Sequence, residues 1–387
     1  MTAISNRAMT RPPRALMPDY LRLFALFGIV IVNVQYIAFS VLHNLTDPIA
    51  VTTSDAVTLW LVNGLALLKT YGLFSFMFGV GLAFMMRSAQ RRGLRFGKMY
   101  RNRMIGLLIF GLAHGCLFFP GDILVIYAIM GSILYRLRDW EADRLVRLGA
   151  GLLIAQVALG TPLLLMPSDY PPAFLTLEDR VLSGDSFRDA AQFRTVGFVF
   201  TLPVALIAQG LSALGWFCLG LAAVKSGMID NQGHPLWHRA RRWCLLPGVG
   251  LSLLGAAMWQ WGATVPGAAL VVVAAPVTTL GYLGLIAALA QAPGPMMQRV
   301  LAAGGSSLSI YLGQSIILST VFAGYGLDLW EEVSRATAVA MAIGVTGVLI
   351  GLLTLWRAWF SQGPFELVLR RITYTGVRPS SGPGSHA

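Results

Sequence analysis

The chain is 387 residues long, 56% hydrophobic and only 12% charged, with a net charge of +12. A typical soluble domain is about 25% charged, so these values, with a mean hydropathy of +0.67, exclude a soluble enzyme, a disordered chain and a disulfide scaffold. Long unbroken apolar runs exclude a transmembrane β-barrel, whose segments of about 10 residues alternate in polarity.

A membrane-spanning helix takes about 20 apolar residues, and ten segments meet or approach that length. The first is Tyr20 to Leu42. The second, Leu65 to Met86, has an amphipathic approach from Asp55. The third and fourth, Met104–Phe119 and Ile123–Leu137, are joined by a tight Pro120-Gly121-Asp122 turn. The fifth, Leu145–Met166, leads into a polar loop over 167–194. The long sixth runs from about Val196 to Val224. Trp243–Trp261, Ala268–Ala290, Val300–Ala323 and Ala336–Trp356 complete the set. The expected fold is therefore an all-α transmembrane bundle of about ten spans. It divides into an N-terminal tail (1–18), spans 1–5 (19–166), an extracytoplasmic loop (167–194), spans 6–10 (195–361) and a C-terminal tail (362–387).

Charge tests this count. With the N-terminus in the cytoplasm and strict alternation, 24 of the 29 Lys and Arg residues fall on the cytoplasmic side and 11 of the 17 acids on the other. That is the asymmetry that orients membrane proteins. Both termini are then cytoplasmic, and a multi-pass protein of the bacterial inner membrane is expected. The basic residues cluster at span ends, and no soluble basic domain is present to follow a phosphate backbone, so a nucleic-acid partner is not expected. The first apolar run is too long for a cleavable signal peptide. Cys116, Cys218 and Cys244 have no metal-ligand spacing and read as packing residues. No metal site is expected.

Ionisable and polar groups at membrane depth are costly and so mark function by default. His114 lies in span 3, eight residues before Asp122, which opens span 4 across the turn. A carboxylate that orients an imidazole is the usual arrangement of a general base; the alternative is a histidine that only joins helices. Asn33 lies 14 residues beyond Asp19, roughly 20 Å along span 1, at a depth expected to match His114. His43 ends span 1. Asp19 and Arg22, three residues apart at the inner mouth, can pair, or Arg22 can meet lipid phosphate or a phosphorylated ligand. Arg101 and Arg103 form a second basic cluster on that side. Lys69 either snorkels to the outer headgroups or enters a cavity. Ser307, Tyr311, Gln314 and Ser315 share a face of span 9, reading as a wet cavity wall or as helix-packing serines and their neighbours. The glycine-rich runs Phe78-Gly79-Val80-Gly81 and Gly304-Gly305 lack the strand–turn–helix setting of a phosphate loop.

Several of these stretches together resemble the YeiB-like family of bacterial membrane proteins. They are Asp19-Tyr20-Leu21-Arg22 with Val32-Asn33, Phe74 to Gly81, Gly111-Leu112-Ala113-His114-Gly115 with Gly121-Asp122-Ile123-Leu124, Tyr311 to Ser315, and Gly363-Pro364-Phe365-Glu366 with Thr373-Tyr374. The matches are collinear across nearly the whole chain. Leu23, Gly305-Ser306-Ser307, Leu367 and Leu369 depart from the family pattern. The family resembles, more distantly, the transmembrane acyltransferases that include heparan-α-glucosaminide N-acetyltransferase. That resemblance implies acyl-CoA as a cytoplasmic co-substrate, with acetyl-CoA a candidate, and no resident cofactor. It implies a catalytic role for Asn33 and puts the family's catalytic His near His43, a second candidate base beside His114; with that activity His114, oriented by Asp122, is expected to be the base, and the co-substrate's phosphates are expected near Arg22, Arg101 and Arg103. The expected activity is acyl transfer to a hydroxyl or amine of a small-molecule or glycan acceptor, with membrane lipid around the bundle. The competing expectation is a proton-coupled transporter or flippase of a small metabolite or lipid-linked sugar. A homo-oligomer is compatible with either.

Overall fold

The computed structural model describes residues 16–42, 52–163, 171–290 and 293–379. Among them the fold is helical throughout, with only an isolated bridge between Leu94 and Pro379. Helix α1 spans Met17–Ile37. The second apolar segment is split: α2, Thr53–Leu61, runs through a π-turn, Val62–Ala66, into α3, Lys69–Arg91. Then follow α4, Phe96–Leu117; α5, Leu124–Leu137; α6, Ala142–Leu163; the short α7, Pro172–Leu182; and the 39-residue α8, Phe187–Lys225. The rest comprises α9, Pro235–Ala240, which a π-turn joins to α10, Leu246–Gln260; α11, Thr264–Leu289; α12, Pro295–Gly304; α13, Ser307–Phe322; α14, Arg335–Trp356; and α15, Pro364–Tyr374.

Seven of these stretches are long and apolar enough to cross a membrane, or eight if α12 and α13, bent by 74°, form one span. The chain is a helical membrane protein. A helix lies in every one of the ten expected segments, with shifted ends. The polar 167–194 region is not an extended loop, because α7 occupies its middle and α8 starts within it at Phe187. Ser186 caps α8 by accepting from Asp189 N–H, which starts the helix well before Val196, where the expected span began.

Glycine sets the closest helix approaches. A Cβ on Gly79 of α3 would lie 2.0 Å from the Phe217 carbonyl oxygen of α8, and one on Gly220 would lie 2.0 Å from the Phe76 carbonyl oxygen. The two backbones therefore touch with no side chain between them, which only glycine permits. Phe78 stacks on Phe217 at 4.4 Å beside this crossing. Gly28 of α1 instead makes room for the Thr70 side chain of α3. Around these crossings runs one apolar core that includes Leu21, Leu26, Phe76, Tyr127, Trp216, Phe217 and Tyr311.

Candidate active site

His114 sits in the last turns of α4 and is 2% exposed; Asp122, in the loop before α5, is 3% exposed. His114 Nδ1 and Asp122 Oδ2 are 2.7 Å apart. The other Asp122 oxygen accepts Val125 N–H at 2.9 Å, so the carboxylate also caps the start of α5. Two amides from the reversing chain, Phe118 N–H and Phe119 N–H, both bond the His114 carbonyl at 3.0 Å. These bonds fold the α4–α5 turn back so that a residue eight positions later reaches the ring. Gly111 makes room, since a Cβ there would stand 2.7 Å from both Asp122 Oδ1 and Val125 N.

The other ring nitrogen, His114 Nε2, is buried and has no hydrogen-bond partner among the described residues. With the ring proton on Nδ1 and donated to Asp122, Nε2 carries a free lone pair. The Tyr311 ring lies 5.0 Å from the His114 ring and the Phe119 ring 6.2 Å. Ile123 N–H donates to Tyr311 Oη at 3.4 Å, which leaves the tyrosine's own O–H proton for another acceptor. Phe74 and Tyr127 extend the aromatic wall.

Residues 223–376 match the family model "Protein of unknown function (DUF418)". The chain is 28% identical to "Uncharacterized protein YeiB" of Escherichia coli (strain K12), over 94% of this chain and 97% of that protein. The similarity to YeiB runs along nearly the whole of both chains. The chain is likewise 27% identical to "Uncharacterized protein YxaH" of Bacillus subtilis (strain 168), over 93% of this chain and 94% of that protein. An uncharacterized 39.9 kDa protein of Bacillus acidopullulyticus is 25% identical over 93% of this chain. No solved structure matches.

The His114–Asp122 pair lies outside the region matched by the family model, and Tyr311 lies inside it, so the site draws on both parts. Glu366 of the Gly-Pro-Phe-Glu stretch caps α13. It accepts from Leu308 N–H at 2.7 Å, Ser309 N–H at 3.1 Å and Ser309 Oγ at 2.5 Å. At the same end of the bundle Arg22 pairs with Asp19 at 3.0 Å. Arg103 lies within electrostatic reach of both Arg22 and Glu366, so Arg22 and Arg103 form one basic group, whereas Arg101 is exposed apart from it.

Other expected site residues are placed differently. Asn33 is half-buried and shares no bond with His114. The Gln314 amide donates to Leu26 O at 3.4 Å and to Thr346 Oγ1 at 2.8 Å. Asn33 lies eleven residues beyond Arg22 on α1, as His114 lies eleven beyond Arg103 on α4, about 16 Å in each case, and Phe119, whose ring is 6.2 Å from that of His114, packs with Val30 and Val34 of α1. Gln314 joins three helices, Ser315 is buried and Ser307 is half-buried at the head of α13. Lys69 is fully buried, so it does not snorkel to the headgroups. His43 lies outside the described residues.

Sequence reasoning passed over a second buried network at the opposite end. Glu178 of α7 accepts from Ser40 Oγ at 2.5 Å, Val41 N–H at 2.9 Å and Leu42 N–H at 3.4 Å, pinning α7 over the end of α1. Burial, opposed by these bonds, raises its carboxyl above the ordinary value. Arg335 donates to Gln35 Oε1 at 3.0 Å and stacks over Phe39, and its backbone N–H reaches Asp55 Oδ1 at 2.7 Å. The only sequence signal was a set of charges in segments that read as solvated loops. Among the described residues no cluster of three or more His, Cys, Asp or Glu could hold a metal ion.

Proposed function

We propose that this chain is an integral-membrane acyltransferase that moves an acyl group from cytoplasmic acyl-CoA to a hydroxyl or amine of an acceptor in, or beyond, the bacterial inner membrane. The observation that carries this reading is a buried imidazole whose Nδ1 faces a carboxylate and whose Nε2 has no partner. A merely structural histidine would satisfy both nitrogens, because an orphaned buried polar atom costs about 1–3 kcal/mol.

The basic end of the bundle faces the cytoplasm, with ten spans and both termini on that side. Arg22 and Arg103 take the phosphates of the co-substrate as charge-assisted donors. Arg103 and His114 are eleven residues apart on α4, about 16 Å along its axis, a span for an extended pantetheine arm. His114 Nε2 removes the proton of the acceptor hydroxyl or amine, and Asp122 stabilises the imidazolium that results. The acceptor atom bonds to the thioester carbon, and negative charge collects on the carbonyl oxygen. The Tyr311 O–H, whose ring lies 5.0 Å from that of His114, donates to that oxygen in this reading, the part first expected of Asn33. Collapse breaks the C–S bond, and the thiolate leaves with the proton held on His114. A lipid or glycan acceptor is compatible with entry from the membrane side.

Purified protein in detergent tests this by thiol release from acetyl-CoA, wild type beside His114→Ala. Turnover or labelling of the wild type that the variant loses by about 100-fold or more is expected. Equal turnover in the two, or no binding of acyl-CoA by a folded protein, overturns the reading. One observation favours the transporter alternative: α2 and α3 are two parts of a broken helix, a feature of transporter binding sites. Proton-driven flux in vesicles would be its readout.

A further inference from the structure

At the start of α4, Arg95, Lys98 and Arg101 are exposed, and so are Arg370, Arg371 and Arg378 of the C-terminal segment. The fold lays these two stretches, far apart in sequence, side by side. Helix α15 runs antiparallel to α4. The Phe365 ring meets that of Phe110 at 5.7 Å, and Leu369 fills the space beside Gly106. Asn102 Nδ2 donates to Thr373 O at 3.4 Å and to Thr375 O at 3.0 Å. Beyond α15 the chain turns at Gly376, whose φ is +61°, with Lys98 Nζ against it. Arg95 N–H then bonds Arg378 O at 3.4 Å.

The result is one cationic face without a counter-charge. Residues 92–113 contain no Asp or Glu, and 364–379 contain only Glu366, which is engaged as the cap of α13. Among the described residues none of the six cations forms an ion pair with an acid. Like charges gathered on one face repel, and an anion laid over them relieves that repulsion.

The neighbouring surface selects the anion. On α4, Arg101 is followed by exposed Ile105, Ile109 and Leu112 at helical spacing, so one face of the helix passes from cation to apolar. Helix α15 repeats that order in the same direction, with exposed Val368 on the apolar side and Arg371 one turn toward the basic side. A cationic band that borders an outward apolar stripe marks the level of lipid headgroups. A soluble phosphate or a nucleic-acid strand would leave the stripe uncovered.

We infer that the α4–α15 face binds anionic phospholipid of the leaflet at the basic end of the bundle. The phosphates meet the cations of both segments, and the acyl chains lie along Ile105, Ile109 and Val368. Basic residues that only orient a span need no shared arrangement; here two remote segments are stitched together and present theirs as one surface, of the kind that recognises anionic headgroups. The inference stands apart from the acyl-transfer reading, which uses Arg22 and Arg103 instead.

The test titrates purified protein in a neutral detergent with dioleoylphosphatidylglycerol, dioleoylphosphatidylcholine or inorganic phosphate. Bound lipid is counted by native mass spectrometry, and the melting temperature is followed beside it. Saturable, stabilising binding of phosphatidylglycerol is expected, with phosphatidylcholine about tenfold weaker or worse and phosphate alone without effect. Arg370→Gln with Arg371→Gln should weaken phosphatidylglycerol by about tenfold. Arg144→Gln with Arg147→Gln, which removes two exposed charges from α6, should leave it unchanged. His114→Ala should bind the lipid as the wild type does, which separates this face from the acyl-transfer centre. The inference is overturned if phosphatidylcholine binds equally well, if the Arg370 and Arg371 variant keeps wild-type affinity, or if the α6 variant loses as much. It is overturned too if phosphate alone reproduces the stabilisation, which would assign the face to a soluble anion. Should the Arg370 and Arg371 variant fail to fold, salt decides on the wild type: phosphatidylglycerol binding that is no weaker at high ionic strength refutes the inference.

Discussion

Replacing Asp122 by asparagine changes one atom of a carboxylate with two buried partners. Val125 N–H at 2.9 Å keeps its acceptor if the introduced amide turns its oxygen that way. The amide nitrogen then faces His114 Nδ1 across the 2.7 Å gap, donor toward donor. The ring relieves this by moving its proton to Nε2, which turns the free lone pair into an N–H. A hydrogen bond to a charged group contributes about 1.5–3 kcal/mol and a neutral one about 0.5–1.5 kcal/mol. The stability loss should therefore be only about 1–2 kcal/mol, read as a fall of a few degrees in melting temperature. The proposed acyl transfer should fall far more, by about 100- to 10,000-fold, because the proposed general base is lost while the fold remains. Nitrogen-15 NMR of histidine-labelled protein reads the tautomer directly, with His114→Gln identifying the resonance among five histidines. An Asp122→Asn protein that keeps the Nδ1–H tautomer, or transfers acyl groups within about tenfold of wild type, refutes the reasoning.

Three further outcomes follow from the packing and the charges. Gly220→Ala places a methyl 2.0 Å from the Phe76 carbonyl oxygen; backbone cannot step aside as a side chain can, so a loss of about 1–3 kcal/mol or failure to accumulate is expected, checked by thermal unfolding in detergent. Glu366→Gln keeps the cap oxygen but removes its charge at the α13 N-terminus, and should lower stability by about 1 kcal/mol; an unchanged melting temperature would show that the cap is not limiting. The Glu178 carboxyl is raised in the folded protein, so the folded state binds more protons than the unfolded one between the ordinary carboxylate value and the raised one. Its burial therefore costs stability at neutral pH, and that cost is relieved as pH falls through the raised value. Wild type should gain stability relative to Glu178→Gln on acidification, and parallel pH profiles would contradict this.

The helical membrane class and the position of every apolar segment were legible because each span depends on a run of apolar residues that needs no partner to be recognised. The His114–Asp122 pair was legible for a similar reason: a tight Pro-Gly-Asp turn brings the two together locally. What was not legible depended on contacts across the chain. That Asn33 shares no bond with His114 depends on how α1 faces α4, which spacing along one chain does not give. Gln314 and Ser315 make a polar stripe whether they line water or tie helices, and the choice was settled by Leu26 and Thr346. Glu178 looked solvated because the residues it caps, Ser40 to Leu42, are more than a hundred positions away. Lys69 lay within an apolar run, and nothing local showed that the run breaks just before it.

The contact of α3 with α8 through Gly79 and Gly220 also constrains motion. With carbonyl oxygens seated against the facing glycines, neither helix can slide or roll by a fraction of a turn without collision. Any rearrangement of the bundle then falls to elements away from this seam. The break at Leu67–Leu68 lies about three helical turns from Gly79 at the start of the same helix, where the regular ladder of backbone bonds is already interrupted.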